Sequence, residues 1–148
     1  MIIYIGADHR GFELKEALKK FSQSKGEQMI DLGNDRYDKS DDYPDFAAKV
    51  ARAVSEDPTK RQGIVICGSG EGVEIVANKF KNVRAALAAN EKQAYASRND
   101  DNTNVLALAA DFLSETQAKK IVEIWLATPF SGAARHKRRL QKIMRLER

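Results

Sequence analysis

The chain is 148 residues long, 43% hydrophobic and holds only three prolines, which suits one domain over 1–148 with a proper core and no evident linker. One cysteine excludes an internal disulfide, the opening MIIYIGADHRG turns charged too soon for a signal peptide, and no apolar run nears the ~20 residues of a membrane span, so a cytoplasmic protein is expected. The formal charge of +4 is concentrated in residues 135–148, which hold seven Lys/Arg against one Glu, while the first 134 residues carry 18 basic and 20 acidic side chains.

In chain order, the apolar run 2–6 reads as a buried strand and 11–24 as a helix, with Phe12, Leu14, Leu18 and Phe21 near helical spacing. Residues 27–33 form the next strand, followed by a polar loop in which Asp42 can cap a helix beginning near Pro44. Strand 63–68, helix 72–79, strand 84–89, helix 91–98, strand 104–110 and helix 114–126 then alternate. The basic segment at about 131–146 is expected to be helical, with Leu140, Ile143, Met144 and Leu146 as a partial apolar stripe. Five strands that are apolar throughout and alternate with helices predict an α/β fold, a parallel sheet covered on both faces. Such sheets bind ligands at the carboxyl ends of their strands. That rule directs attention to the loops after Gly6, Ile66 and Leu108.

The middle loop reads Ile66-Cys67-Gly68-Ser69-Gly70-Glu71-Gly72-Val73. A dinucleotide fingerprint counted from Gly68 would need a third glycine where Val73 stands, and a phosphate-binding NTPase loop needs a Gly-Lys-Ser/Thr that is absent. A cysteine phosphatase of the Cys-x5-Arg kind would need arginine at Val73, and nothing cationic in the loop would hold a phosphoryl group. What survives is geometric. Cys67 ends a strand, and the N–H groups of Gly68 to Gly72 converge beside a helix start, where a negative oxygen is stabilised and a thiolate favoured. A base beside such donors suits removal of a proton alpha to a carbonyl. A structural tight turn with a buried thiol is the competing reading.

Asp8 and His9 end the first strand at the same sheet edge, where a helix cap and a surface imidazole are the plainer roles. Arg135 and Arg139 lie four apart on one helix face around His136, a spacing that suits bidentate holding of a phosphate. A solvated basic helix or a nucleic-acid contact are the alternatives. Residues 135–148 contain no aromatic for base stacking, which weighs against nucleic acid. No histidine–carboxylate cluster has metal-ligand spacing.

The segments GADHRGFELKEAL, DYPDFAAKVA, CGSGEGVEIVANK, NVRAAL, NTNVLALAADF and FSGAARHKRRLQKI occur together, in order, across nearly the whole chain. In this the sequence resembles the ribose-5-phosphate isomerase B family, which also includes the galactose-6-phosphate isomerase subunits. The resemblance implies a single flavodoxin-like domain of three layers, with five parallel strands. It also implies a homodimer or dimer of dimers with shared active sites, the basic helix reaching the partner, and a phosphorylated sugar as substrate. No cofactor, metal, nucleic acid or membrane is implied. Cys67 would shuttle a proton between C1 and C2 of the sugar, while Ser69 and the backbone of Gly68, Gly70 and Gly72 hold the enediolate oxygen. Asp8 and His9 would contact substrate. Arg135 and Arg139 of the neighbouring subunit would hold its phosphate, with His136 nearby.

One strip departs from the family pattern. Asp100 stands where a histidine commonly assists ring opening, and Asp101 replaces an asparagine that usually touches substrate. Either Asp100 opens the ring, its carboxyl favoured in the neutral form by the like charges of Asp101, Glu71 or Glu74, or it is a solvated loop residue and ring opening falls to His9 or to the spontaneous reaction. The substrate expected is ribose 5-phosphate, with another, six-carbon, phosphosugar as the alternative.

Overall fold

The computed structural model describes residues 1–147, so Arg148 of the expected 1–148 domain lies outside the described residues. The chain runs β1 (Ile2–Ala7), α1 (Phe12–Ser24), β2 (Met29–Asp31), α2 (Tyr43–Glu56), β3 (Arg61–Cys67), α3 (Glu71–Ala77), β4 (Ala85–Leu87), α4 (Glu91–Asp101), β5 (Val105–Ala109), α5 (Glu115–Ala127) and α6 (Ala134–Met144). All five strands are parallel, in the order β2-β1-β3-β5-β4. This is the expected three-layer α/β fold. Its one topological twist is that β5 enters between β3 and β4, whereas the commonest flavodoxin-like order runs 2-1-3-4-5.

Side chains of β3 alternate between two cores. Ile64 and Ile66 pack with Leu18 of α1, Ala94 of α4 and Ile121, Val122 and Trp125 of α5. Val65 and Cys67 point the other way, to Val50 and Val54 of α2 and Val73 and Ala77 of α3. This period-2 alternation, apolar on both faces, is what a strand buried between two helical layers requires. Trp125 is fully buried and its indole N–H donates to Thr103 Oγ1 at 3.0 Å, closing the α5 side.

Element ends follow local chemistry. Ser114 forms a capping box with Gln117 at the start of α5. Asp42 occupies the N-cap position of α2, with a proline in the first turn, but its side chain makes no capping bond. β2 is shorter than the expected 27–33, because Glu27 and Gln28 are solvent-exposed and only Met29–Asp31 pair with β1. α4 runs past its expected end at 98 to Asp101, where Asn102 adopts a left-handed conformation (φ 46°) that terminates it. Asp100 and Asp101 are therefore helical. α6 begins at Ala134, later than the expected 131.

The topology sets two chemical edges. Cys67 is level with Ala109, and Ala7 with Ile66, so the turns after β1, β3 and β5 meet at the carboxyl edge, in the switch-point crevice between β1 and β3. α4 returns from the carboxyl end of β4 to the start of β5, and its last turn lies at the opposite, amino edge.

Candidate active site

Cys67 ends β3 with only 4% of its surface exposed. Its peptide neighbours are pinned from both sides: Ala110 N–H donates to the Cys67 carbonyl at 2.9 Å, Asp111 N–H to that of Gly68 at 3.0 Å, and Asp8 N–H to that of Ile66 at 3.3 Å. The Gly70 N–H donates to Cys67 Sγ at 3.2 Å. A donor aimed at the sulfur stabilises its anionic form, the form that accepts a proton. Gly70 can deliver that N–H because it sits at φ +77°, and a Cβ there would come 2.5 Å from Leu87 Cδ1 and 3.0 Å from Ala109 N.

Around the sulfur, Gly68 and Gly70 are buried and Ser69 is exposed, its Oγ accepting weakly from Glu71 N–H at 3.4 Å. Tyr43, at the start of α2, lays its ring on the loop so closely that a Cβ on Gly72 would meet its Cζ at 2.6 Å. Glu74 turns away, its Oε1 accepting from Leu87 N–H at 3.1 Å, and Glu71 is exposed. Arg10 and Asp111 are ion-paired across Gly68, where a Cβ would touch both. Nothing in the local spacing of Tyr43, Arg10 or Asp111 marks them, since each reaches the loop from a distant segment.

Asp8 and His9 stand beside this loop. Asp8 is 4% exposed, and its Oδ1 accepts from Arg10 N–H at 3.0 Å and Gly11 N–H at 3.1 Å, fastening the turn into α1. Burial pushes its carboxyl above the usual carboxylate range, against the pull of the Gly11 hydrogen bond. His9 Nδ1 lies 2.8 Å from Asp41 Oδ1, which also accepts the His9 backbone N–H at 2.8 Å. The hydrogen bond to Asp41 holds the imidazole above its ordinary 6.5. Asp41 lies in what reads in sequence as a plain polar loop. Asp8, His9 and Asp41 offer ligand atoms within 4.8 Å of one another. Those of His9 and Asp41 are bonded to each other and Asp8 Oδ1 to two amides, which makes the cluster a hydrogen-bond network rather than a metal cradle.

The remaining sequence-derived candidates gather at the amino edge. Ser131 N–H donates to the Asn99 carbonyl at 3.0 Å, bringing the start of α6 against the end of α4. His136 is 3% exposed; its Nδ1 meets Ser131 Oγ at 2.8 Å and its Nε2 lies 3.7 Å from Asp100 Oδ1. Asp101 is exposed. Arg135 and Arg139 are exposed on α6, and among the described residues neither forms an ion pair. Within one chain, then, Asp100 faces His136 rather than Glu71 or Glu74. The chemical groups form two clusters at opposite edges of the sheet.

Residues 3–143 match the family model described as Ribose/Galactose Isomerase. A probable ribose-5-phosphate isomerase B of Mycoplasma genitalium is 44% identical over 146 residues, covering 99% of this chain and 95% of its own. A putative sugar phosphate isomerase of Bacillus subtilis is 39% identical, with 97% and 95% covered. The crystal structure of ribose-5-phosphate isomerase B from Mycoplasma genitalium with bound ribulose-5-phosphate superposes with a TM-score of 0.93 at 44% identity, over 97% of this chain and 93% of that one. The ribose-5-phosphate isomerase B of Clostridium thermocellum gives 0.93 at 41% identity, over 99% and 97%.

Proposed function

The chain belongs to the ribose/galactose isomerase family, and from that premise we propose that it interconverts ribose 5-phosphate and ribulose 5-phosphate with Cys67 as the base. The Cys67 thiolate takes the proton from C2 of the open-chain aldose, and the electron pair moves to leave a cis-enediolate with its charge on O1. The loop N–H groups between Gly68 and Gly72 that are not bonded to the sulfur, with Ser69, stabilise that oxygen. Return of the proton to C1, as the O2 hydroxyl gives up its own proton to O1, completes the ketose; atoms and charge balance with no cofactor or metal. Asp8 and His9 contact the sugar. The observation that carries this reading is the Gly70 N–H donating to a buried thiol at a strand end, 3.2 Å away.

The second part of the proposal is that two copies complete each site. The phosphate needs cations, and Arg135 and Arg139, one turn apart and without an ion pair among the described residues, lie at the wrong edge to serve Cys67 of their own chain. A two-fold axis that sets the amino edge of one chain against the carboxyl edge of another brings Arg135, Arg139, His136, Asp100 and Asp101 to the partner's Cys67 loop. The protein is thus read as one isomerase domain over 1–148 with its basic helix reaching the partner, in a homodimer or dimer of dimers. Cytoplasmic location fits this reading, and among the described residues no helix is long and apolar enough to cross a membrane. A coupled isomerase assay over aldose phosphates of five and six carbons tests the reaction: turnover should be highest with ribose 5-phosphate, and preference for a six-carbon phosphosugar would overturn the substrate assignment.

A further inference from the structure

Of the chain's two histidines, His9 is the one at the Cys67 edge, and its ring is held in place from behind. A carboxylate only accepts, so the 2.8 Å contact with Asp41 places the proton on Nδ1. Asp41 is itself fixed. Asn34, 6% exposed, donates from Nδ2 to Asp41 Oδ2 at 2.5 Å. The Asn34 carbonyl in turn accepts from Lys15 Nζ at 2.6 Å, and Lys15, wholly buried, is paired with Asp31 at 2.6 Å and lies 5.3 Å from the centre of the Phe12 ring. A line of hydrogen bonds therefore runs from α1 through the segment after β2 to the imidazole.

His9 and Asp41 are 32 residues apart in the chain; Lys15 and Asn34 at the inner end of the line are buried, and Asp41 and His9 are partly so. A buried ammonium is costly unless fully paired. Its pairing here ends in the orientation of one partly exposed side chain. The charged and titratable groups that face the His9 ring are Asp8 from the β1 turn, Asp41 from the loop before α2, and Tyr37, whose ring meets it edge-on at 6.2 Å. Both carboxylates favour an imidazolium.

Resting on the reading that His9 contacts the phosphosugar, we propose that Asp41, held by Asn34 and through it by Lys15, is a positioning residue for His9. It ties down Nδ1, leaves Nε2 as the ring's working atom, and supports a cationic donor toward an oxygen of the anionic substrate. The bond is of the kind that orients imidazoles wherever the second ring nitrogen must work.

Two histidines give two imidazole signals, so nitrogen-resolved NMR reads His9 directly, assigned by its loss in His9→Gln. In the wild-type protein the neutral form should be the Nδ1–H tautomer, with a midpoint above 6.5. In Asp41→Asn that midpoint should fall, and the alkaline limb of kcat/KM should move down with it. Asp41→Glu should recover part of both. In the His9→Gln background, Asp41→Asn should cost less than about twofold, because the residue it acts through is gone. An Nε2–H tautomer in the wild-type protein, an unmoved His9 midpoint in folded Asp41→Asn, or an equal loss with and without His9 would overturn the proposal. Should no sugar phosphate be turned over, the isomerase reading fails while the NMR arm still decides the His9–Asp41 linkage.

Discussion

Replacing Cys67 separates the chemistry from the fold. The thiol is 4% exposed and packs with α2 and α3, so Cys67→Ala removes one buried sulfur and leaves the Gly70 N–H without its acceptor. An unsatisfied buried donor costs about 1–3 kcal/mol. A domain of this size is stable by about 5–15 kcal/mol, so the variant stays folded. Its catalytic loss is larger, since removing a positioned acid–base group costs about 10²–10⁴-fold, or roughly 2.7–5.4 kcal/mol of barrier. Cys67→Ser makes the distinction sharper, because the hydroxyl still accepts from Gly70 while being a far weaker base. Denaturant unfolding should place the serine variant closer to wild type than the alanine variant, and coupled turnover of ribose 5-phosphate should be lost in both. Near-normal turnover in either folded variant would refute the base assignment, and a serine variant less stable than alanine would refute the role given to the Gly70 N–H.

Gly70→Ala forces a side chain onto φ +77° and against Leu87 and should destabilise by about 2 kcal/mol or more on chemical denaturation; a change within experimental error would contradict the packing of the loop. Because the folded-state value of His9 is raised above 6.5, the charge-dependent part of its bond to Asp41 should stabilise the fold fully below about pH 6.5 and be lost as pH rises through the raised value. Unfolding free energies of wild type and His9→Gln should therefore converge at alkaline pH, and a gap that widens there reverses the sign. Asp100→Asn should slow turnover of ribose 5-phosphate, which must open its ring, while sparing a sugar phosphate that cannot close one. Equal losses on both would make Asp100 a binding or structural residue.

The sheet and most helices are readable from local pattern because their signal repeats every two or 3.6 residues: the run before Cys67 is apolar on both faces, and Ser114 and Gln117 announce α5 by their own capping chemistry. The end of α4 was less legible, since polar Asp100 and Asp101 look like loop until Asn102 is seen to take the left-handed turn. The insertion of β5 between β3 and β4 leaves no mark in either strand. At the site, the cysteine loop carries its own spacing and is visible. Asp41, Asn34 and Tyr43 are not, because a polar contact across tens of residues has no periodicity. The division of the candidates between two edges is likewise a consequence of chain direction, which residue types do not encode.

Mixing two variants tests a cysteine site completed by a second chain most directly. Cys67→Ala keeps its arginines and Arg135→Ala/Arg139→Ala keeps its cysteine, so each alone should be almost inactive at low substrate. If sites are shared, random reassembly makes half the dimers mixed, each with one intact site, and about a quarter of wild-type activity should return. A mixture that exchanges subunits yet stays as inactive as its parts would contradict the shared site.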